Sequence, residues 1–228
     1  MLIDWAFLVG PRMGAAVIDG LALTMKVTLL SACAATLLGT ALAVARVAGG
    51  RSARAVAVGY VAFFRNTPLL VILFFLYFGL PGLFPRRSFP FLYGPHYEVA
   101  IAVAAVSVVS AAFIAEVLRS GIESIPLGQF EAATSTGLKR TKTFRHVVFP
   151  QLAPIVLPSL SNEAINIVKN STYGMTIGLM ELIWHAQQIE AETFKGFEAM
   201  TAVTMAFLVI NGSIFALFRG LERVCQVP

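Results

Sequence analysis

Five polar side chains recur on one side of an otherwise apolar segment. At about 100° per residue, Asn162, Glu163, Asn166, Lys169 and Asn170 fall within an arc of about 120° on a helix. A small molecule that carries an anionic and a cationic group needs a cation for the first and an acceptor for the second. Lys169 and Glu163 offer these two charges. The pattern therefore indicates noncovalent recognition of a small charged molecule, and Ser171 extends the candidate site by one residue.

Glu163 is the residue of this stripe whose position is physically most demanding. It stands 13 residues after Pro150, about 20 Å along a helix in a membrane core about 30 Å thick. A lone carboxylate at that depth costs several kcal/mol, so the stripe should face a partner helix or a wet cavity. Two interpretations stay open. Glu163 either pairs with Lys169 or bonds across a subunit interface, or part of the stripe lines a substrate path.

A second candidate group precedes Pro68 in another apolar segment. It consists of Arg65, Asn66 and Thr67. Arg65 offers a second cation for a carboxylate. Alternatively, it caps carbonyls freed by Pro68 or extends toward water, because proline kinks or breaks a helix. Glu116 and Arg119, three residues apart on one helix face, are predicted to form a structural ion pair or a gate.

The composition predicts an all-α polytopic membrane protein. Hydrophobic residues make up 57% of the 228 residues and charged residues only 13%. The net charge of +5 lies in short loops between apolar segments, which indicates membrane topology and argues against nucleic acid as a partner. Cys33 and Cys225 predict neither a disulfide nor a metal site. Asp4 and the lack of a basic region before the first apolar residues argue against a cleaved signal peptide.

Five segments are predicted to cross the membrane in a single domain covering 1–228. They are approximately 21–46, 55–80, 97–118, 150–169 and 198–218. Basic residues concentrate after the first, third and fifth segments, whereas the opposite ends hold Arg12, Arg86, Arg87 and Lys195 in longer loops. The distribution predicts the N-terminus outside and the C-terminus in the cytoplasm.

The loop at about 120–149 interrupts this apolar pattern with a charged module. Its spacing is Glu131-Ala132-Ala133, then Gly137, then the apolar residues Val147 and Phe149, and then Pro150. Gly137 suits the end of a short helix, and the basic residues that follow cannot lie in a bilayer core. An amphipathic connector that touches only lipid headgroups is the simpler alternative.

This spacing resembles the signature of the permease subunits of type I ABC importers. The resemblance implies that loop 120–149 forms cytoplasmic coupling helices docking on an ATP-binding cassette ATPase dimer. It implies no cofactor in this chain, with ATP and Mg on that ATPase. It also implies a location in the bacterial inner membrane beside lipid, a periplasmic amino-acid-binding protein, and a second permease subunit, identical or different. Five helices alone cannot enclose a path, so we expect a second permease, and of the two possibilities we favour a heterodimer.

Further blocks resemble the polar amino-acid subgroup of these permeases across nearly the whole chain. They include Phe64 to Leu70, Ala115 to Gly121, and Lys169-Asn170-Ser171 followed by Ile177 to Leu182. The last block is similar to a permease of glutamate/aspartate importers. Where Asp is common in the family, position 170 is neutral, which favours glutamate or aspartate over basic amino acids. The same position also suits glutamine or asparagine.

Other function classes fit less well. The sequence has no Gly-rich phosphate loop and no nucleophile–base pattern, so it is not expected to be an enzyme. An ion-coupled secondary transporter would also use intramembrane Glu and Lys, but the chain shows no inverted repeat. A pure scaffold protein is disfavoured by the deep polar stripe.

Overall fold

The computed structural model describes residues 11–84, 90, 94 and 96–225, and the regular structure in these ranges is helical. Asp4, Arg86 and Arg87 lie outside the described residues. The helices, in chain order, are α1 (Pro11–Ala48), α2 (Arg51–Arg65), α3 (Leu69–Phe74), α4 (Leu80–Leu83), α5 (Tyr97–Glu123), α6 (Leu127–Ser135), α7 (Arg140–Thr143), α8 (Phe149–Ser171), α9 (Leu182–Thr193) and α10 (Gly196–Cys225). π-helical turns link α3 to α4 and α7 to α8, and a 3₁₀ turn, Thr172–Ile177, follows α8.

Three described helices, α1, α5 and α10, are long and apolar enough to cross a membrane, and a bent pair would make a fourth. They coincide with the first, third and last predicted spans. α1 begins at Pro11, ten residues before the predicted start, and α10 continues to Cys225. α8 does not meet the same criterion, because its polar stripe and two internal prolines, Pro154 and Pro158, lower its hydropathy. The count of five spans therefore stays a prediction.

The predicted second span, 55–80, is not one straight helix. α2 ends at Arg65, α3 begins at Leu69, and the two parts are bent by 103°. Pro68 lies in the break, where its missing N–H interrupts the helical hydrogen bonds. Asn66 Nδ2 donates to the carbonyl of Ala62 at 2.6 Å, and Thr67 Oγ1 donates to that of Phe63 at 2.8 Å. These bonds satisfy carbonyls that the end of α2 leaves without a backbone donor.

α5 is the helix around which the others pack, and its buried face is rich in small residues. It contacts α1, α2, α3 and α8. A Cβ at Gly39 of α1 would come within 2.9 Å of the Ala111 carbonyl oxygen on α5. Hydroxyls add hydrogen bonds at the same seam, since Ser31 Oγ of α1 donates to the carbonyl of Val103 at 3.4 Å. Small residues thus allow α1 and α5 to approach each other closely.

α9 packs on the N-terminal half of α1 and on the start of α10. Glu181 directly precedes α9 as its N-cap, and its Oε1 accepts a hydrogen bond from the Trp184 N–H at 2.9 Å. Burial raises the pKa of the Glu181 carboxyl to about 7. The Leu182 N–H donates to Thr24 Oγ1 of α1 at 3.2 Å. Met13, Leu182, Ile189 and Ala199 form an apolar cluster that holds the three helices together.

Gly20 tests this junction, because α1 and α9 meet there without room for a side chain. A Cβ at Gly20 would lie 2.7 Å from the Leu182 Cα, whereas one at Gly14 of the same helix would meet nothing within 4 Å. We expect Gly20→Ala to lower the stability of the protein by about 1–3 kcal/mol through overpacking. Gly14→Ala is expected to leave it equal or higher, since alanine favours helix. Thermal midpoints of the purified variants check the pair, and equal midpoints would contradict it.

Candidate transport path and coupling site

The coupling module is built from α6, α7 and the start of α8. Gly137 follows α6 with φ +75°, a left-handed conformation that glycine adopts without strain. Its N–H donates to the carbonyl of Thr134 at 2.9 Å, and the Leu138 N–H donates to that of Ala133 at 3.2 Å. The helix end predicted at Gly137 is thus confirmed, and the residue there has a positive φ.

The predicted coupling residues lie on two sides of α6. Glu131 and Ala132 are exposed, whereas Ala133 is buried. Phe130 packs toward a cluster that includes Val148 and Leu152, so α6 is fixed against the first turns of α8, where Pro150 lies. The exposed side carries an open depression of about 410 Å³, lined by Phe130, Glu131, Thr134 and Ser135. This side of α6 can receive a protein partner.

The basic residues after Gly137 lie on the surface of the same module. Lys139, Arg140, Lys142 and Arg145 are all exposed. Two aromatic rings, Phe144 and Phe149, are also exposed, with ring centroids 6.4 Å apart across the π-helical turn. The module therefore presents positive charge and aromatic surface beside the start of α8.

The polar stripe of α8 divides into an exposed part and a buried part. Asn162, Asn166 and Lys169 are exposed, and Asn170 is half-buried. Glu163 is only 7% exposed and lies beside Ser110 of α5. Ser171 is buried, and its hydroxyl donates to the carbonyl of Val168 at 2.8 Å. The stripe thus offers amides and one ammonium group outward, and its carboxylate inward.

Glu163 acts on the exposed part through Asn166. Asn166 Nδ2 donates to Glu163 Oε2 at 3.5 Å. No described ion pair joins Glu163 to Lys169, so their mutual neutralisation within one chain is not seen in the described residues. The carboxylate can orient the Asn166 amide, while the Lys169 ammonium keeps its exposed position.

Arg65 lies in a cluster of charges that joins three helices. Glu116 of α5 is shared by Arg46 of α1, at 2.5 Å, Arg119 of α5, at 2.5 Å, and Arg65 at the end of α2, at 3.8 Å. Arg119 also pairs with Glu123. The predicted Glu116–Arg119 ion pair is confirmed. The Arg65 guanidinium lies 5.5 Å from the Phe113 ring centroid and keeps 41% of its side chain exposed.

Three features of the site region were not found from the sequence. In the sequence, Arg46 is one of the basic residues that follow the first predicted span. Its guanidinium bonds to Glu116, which lies 70 residues later in the chain. Asn66 and Thr67 bond to the carbonyls of their own helix, a capping role that the nearby proline could have signalled. Glu181 caps the start of α9, and the only sign of this role in the sequence is its position before an apolar run. Within the described residues, no group of three or more potential ligands could hold a metal ion.

Comparison with protein families gives a match over most of the chain. Residues 35–224 match the family described as binding-protein-dependent transport system inner membrane component. The octopine transport system permease protein OccM of Rhizobium radiobacter is 36% identical over 211 residues, covering 91% of this chain and 84% of that protein. The glutamate/aspartate import permease protein GltJ of Escherichia coli strain K12 is 29% identical over 214 residues, covering 92% and 87%.

Solved structures agree with this assignment. The crystal structure of an amino acid ABC transporter with histidines superposes with a TM-score of 0.83 at 30% identity, covering 98% of this chain and 99% of that one. Members of the family are transport subunits rather than enzymes in their own right. Because the family model spans well over half of the sequence, the chain belongs to the binding-protein-dependent inner membrane transport components, among the permeases of amino-acid ABC importers.

Proposed function

We propose that this chain is the transmembrane subunit of an ATP-driven importer that moves glutamate or aspartate across the inner membrane after delivery by a periplasmic binding protein. The observation that carries the proposal is the exposed polar side of α8, with Asn162, Asn166 and Lys169 turned outward and a neutral Asn170 beside them. Amides and an ammonium group at this depth are costly against lipid and useful beside a polar cargo.

The charges favour an acidic cargo. A dicarboxylic amino acid presents two carboxylates, and the exposed Lys169 ammonium and the Arg65 guanidinium are cations that can receive them. Ligands for the cargo ammonium would be the amide oxygens of Asn162 and Asn166, with Glu163 as a positioning residue behind Asn166. The relative named for glutamate/aspartate import supports this cargo, whereas the relative named for octopine transport widens the range. Glutamine and asparagine remain the alternative, because Asn170 can bond an amide.

The remainder of the assembly follows from the family. The exposed side of α6, including Glu131 and Ala132, would dock on an ATP-binding cassette ATPase dimer that holds ATP and Mg, so it must lie in the cytoplasm. The N-terminus would then be outside and the C-terminus inside. A second permease, of different sequence, would close the path against the exposed side of α8.

Reconstituted uptake tests the proposed function. Proteoliposomes containing the complete importer are expected to accumulate radiolabelled L-glutamate when supplied with ATP and binding protein, without an ion gradient. Unlabelled L-aspartate should compete more strongly than L-arginine. Uptake that requires a sodium or proton gradient and ignores ATP would favour an ion-coupled secondary transporter and refute the proposal. Competition by L-glutamine above L-aspartate would instead select the amide cargo.

Gly137 tests the coupling role of α6. Its space is open, with nothing within 4 Å of a Cβ, so a substitution acts only through its φ of +75°. We expect Gly137→Val to strain this turn, reorient α6 and lower ATP-dependent uptake about tenfold or more. Gly137→Asn should retain most uptake, because asparagine tolerates left-handed backbone. The measurement is uptake together with the amount of ATPase that copurifies.

Gly128→Ala is the matched control for Gly137, since it lies within α6 and also has an open environment. It should behave as the unaltered protein. In a background lacking Cys33 and Cys225, a cysteine at the exposed Thr141 should react with an impermeant thiol reagent only from the cytoplasmic side. Full uptake by Gly137→Val, or labelling of residue 141 from outside, would contradict the coupling assignment.

Asn170 tests the cargo assignment. A carboxylate there would add a negative charge near the exposed end of the stripe. Two unit charges about 4 Å apart interact by about 4 kcal/mol at an effective dielectric of 20, and even a quarter of that changes binding about fivefold. Asn170→Asp is therefore expected to reduce uptake of L-glutamate much more than that of L-glutamine.

The control for added charge is Ser52→Asp, at the exposed start of α2 and outside the stripe. It should not change the ratio of the two uptake rates. If Asn170→Asp also leaves the ratio of glutamate, glutamine and arginine uptake unchanged, position 170 does not face the cargo.

A further inference from the structure

Phe194 occupies a backbone conformation that its side chain disfavours. Its φ is +58° and its ψ 21°, at the turn between α9 and α10. Among the described residues, the other positions with positive φ are Gly137 and Gly178. Asparagine or glycine would fit this turn with less strain than a bulky aromatic residue. The local backbone conformation therefore does not explain why this residue is phenylalanine.

Packing within the chain does not supply that reason. The Phe194 side chain is 85% exposed, so it gains little from contacts in this chain. Backbone conformations of this kind are concentrated at functional positions. A large exposed aromatic residue contributes most when a partner covers it.

The backbone of the turn is closed by hydrogen bonds. The Phe194 N–H donates to the carbonyl of Glu190 at 2.8 Å, and Thr193 Oγ1 donates to that of Ile189 at 2.6 Å. Gly196 admits the Glu190 side chain, since a Cβ there would lie 2.6 Å from Glu190 Oε1. Ile189 belongs to the apolar cluster that joins α9 to α1 and α10. Because the backbone of the turn is already formed, a partner that covers the ring does not have to order this segment.

The position of the turn indicates which partner it can meet. Ala199 in the first turn of α10 packs with Met13 near the start of α1, whereas Arg46 near the other end of α1 bonds to Glu116, close to the end of α5 that leads to α6. The α9–α10 turn therefore lies at the opposite end of α1 from the coupling module. With α6 in the cytoplasm, as in the proposed function, Phe194 faces the outside. Gln187, Gln188 and Glu190 expose polar side chains on α9 before the turn, and Phe197, in the first turn of α10, is 60% exposed.

Exposed aromatic residues with polar neighbours are typical of a protein interface. Phe197 lies in the first turn of the apolar helix α10 and suits the membrane interface. Phe194 stands before that helix and directly after the polar end of α9, a place that suits a partner in water. The family to which the chain belongs is described as binding-protein-dependent. A soluble binding protein is therefore the partner that reaches this end of the chain from water.

We propose that Phe194 is a docking anchor for the importer's soluble binding protein, inserting its ring into an apolar depression on that protein. The inference rests on the proposed function, in particular on the outward placement of the α9–α10 turn. The hydrogen-bonded turn presents the ring, and the exposed Gln187, Gln188 and Glu190 side chains of α9 offer hydrogen-bonding groups to the same partner.

Phe194→Gly is the informative substitution, because it removes the ring and relieves the strain together. The complete importer in nanodiscs is titrated with its binding protein loaded with L-glutamate, and ATPase activity is recorded. We expect the half-saturating concentration of binding protein to rise at least tenfold. The basal ATPase rate should be unchanged, and the thermal midpoint unchanged or higher. Phe194→Tyr, which keeps the ring, should stay within about threefold of the unaltered importer.

Phe215→Ala is the matched control, since Phe215 is a half-exposed phenylalanine within the membrane-spanning part of α10. It should not alter the titration. A half-saturating concentration within twofold for Phe194→Gly would overturn the docking role, as would an equal loss of basal and stimulated activity. If the unaltered importer is not stimulated by binding protein loaded with L-glutamate, L-glutamine or L-arginine, the proposed function itself fails and the docking role with it.

Discussion

The close approach of α1 and α5 is the contact from which the positions of the other helices follow. In a bilayer, lipid tails are as apolar as leucine, so helices are held by close packing and hydrogen bonds rather than by exclusion of water. Gly39 faces the Ala111 carbonyl, and Ala105, Ala111, Ala112 and Ala115 of α5 are buried. Ser31 and Ser107 add interhelical hydrogen bonds at this seam. With these two helices fixed, α2 and α3 occupy one side of α5 and α8 another.

The ion pairs around Glu116 depend on the packing of α1 and α2 against α5. Arg46 reaches Glu116 because α1 and α5 are close, and Arg65 reaches it because α2 ends beside α5 before the chain turns. A carboxylate with partial burial is stabilised when several cations share it, and removing it would leave Arg46 and Arg119 without their common partner. The break at Pro68 therefore has a structural consequence beyond the bend, since it places the end of α2 at this cluster.

Local patterns predicted the features that depend on neighbours in sequence. The apolar runs gave α1, α5 and α10, the i, i+3 spacing gave the Glu116–Arg119 pair, and Gly137 gave the helix end. Contacts between distant residues were not accessible in this way, because Arg46 meets Glu116 only through packing of α1 on α5. Helical periodicity placed Glu163 and Asn162 within one arc, but it could not say which edge of that arc faces α5. The 103° bend required more than the presence of Pro68, because a proline can kink a helix without breaking it.

The division of α8 into two sides supports the proposal that this chain pairs with a second membrane subunit. The inward side uses its carboxylate to orient Asn166 and packs on α5, while the outward side leaves two amides and an ammonium group uncovered by this chain. α10, by contrast, exposes apolar residues such as Leu208, Val209 and Leu217 and suits lipid. Polar side chains at the depth of Asn162 are poorly tolerated against hydrocarbon, so the two surfaces require different neighbours. Water and cargo enclosed by a second membrane subunit would satisfy the first, and the bilayer satisfies the second.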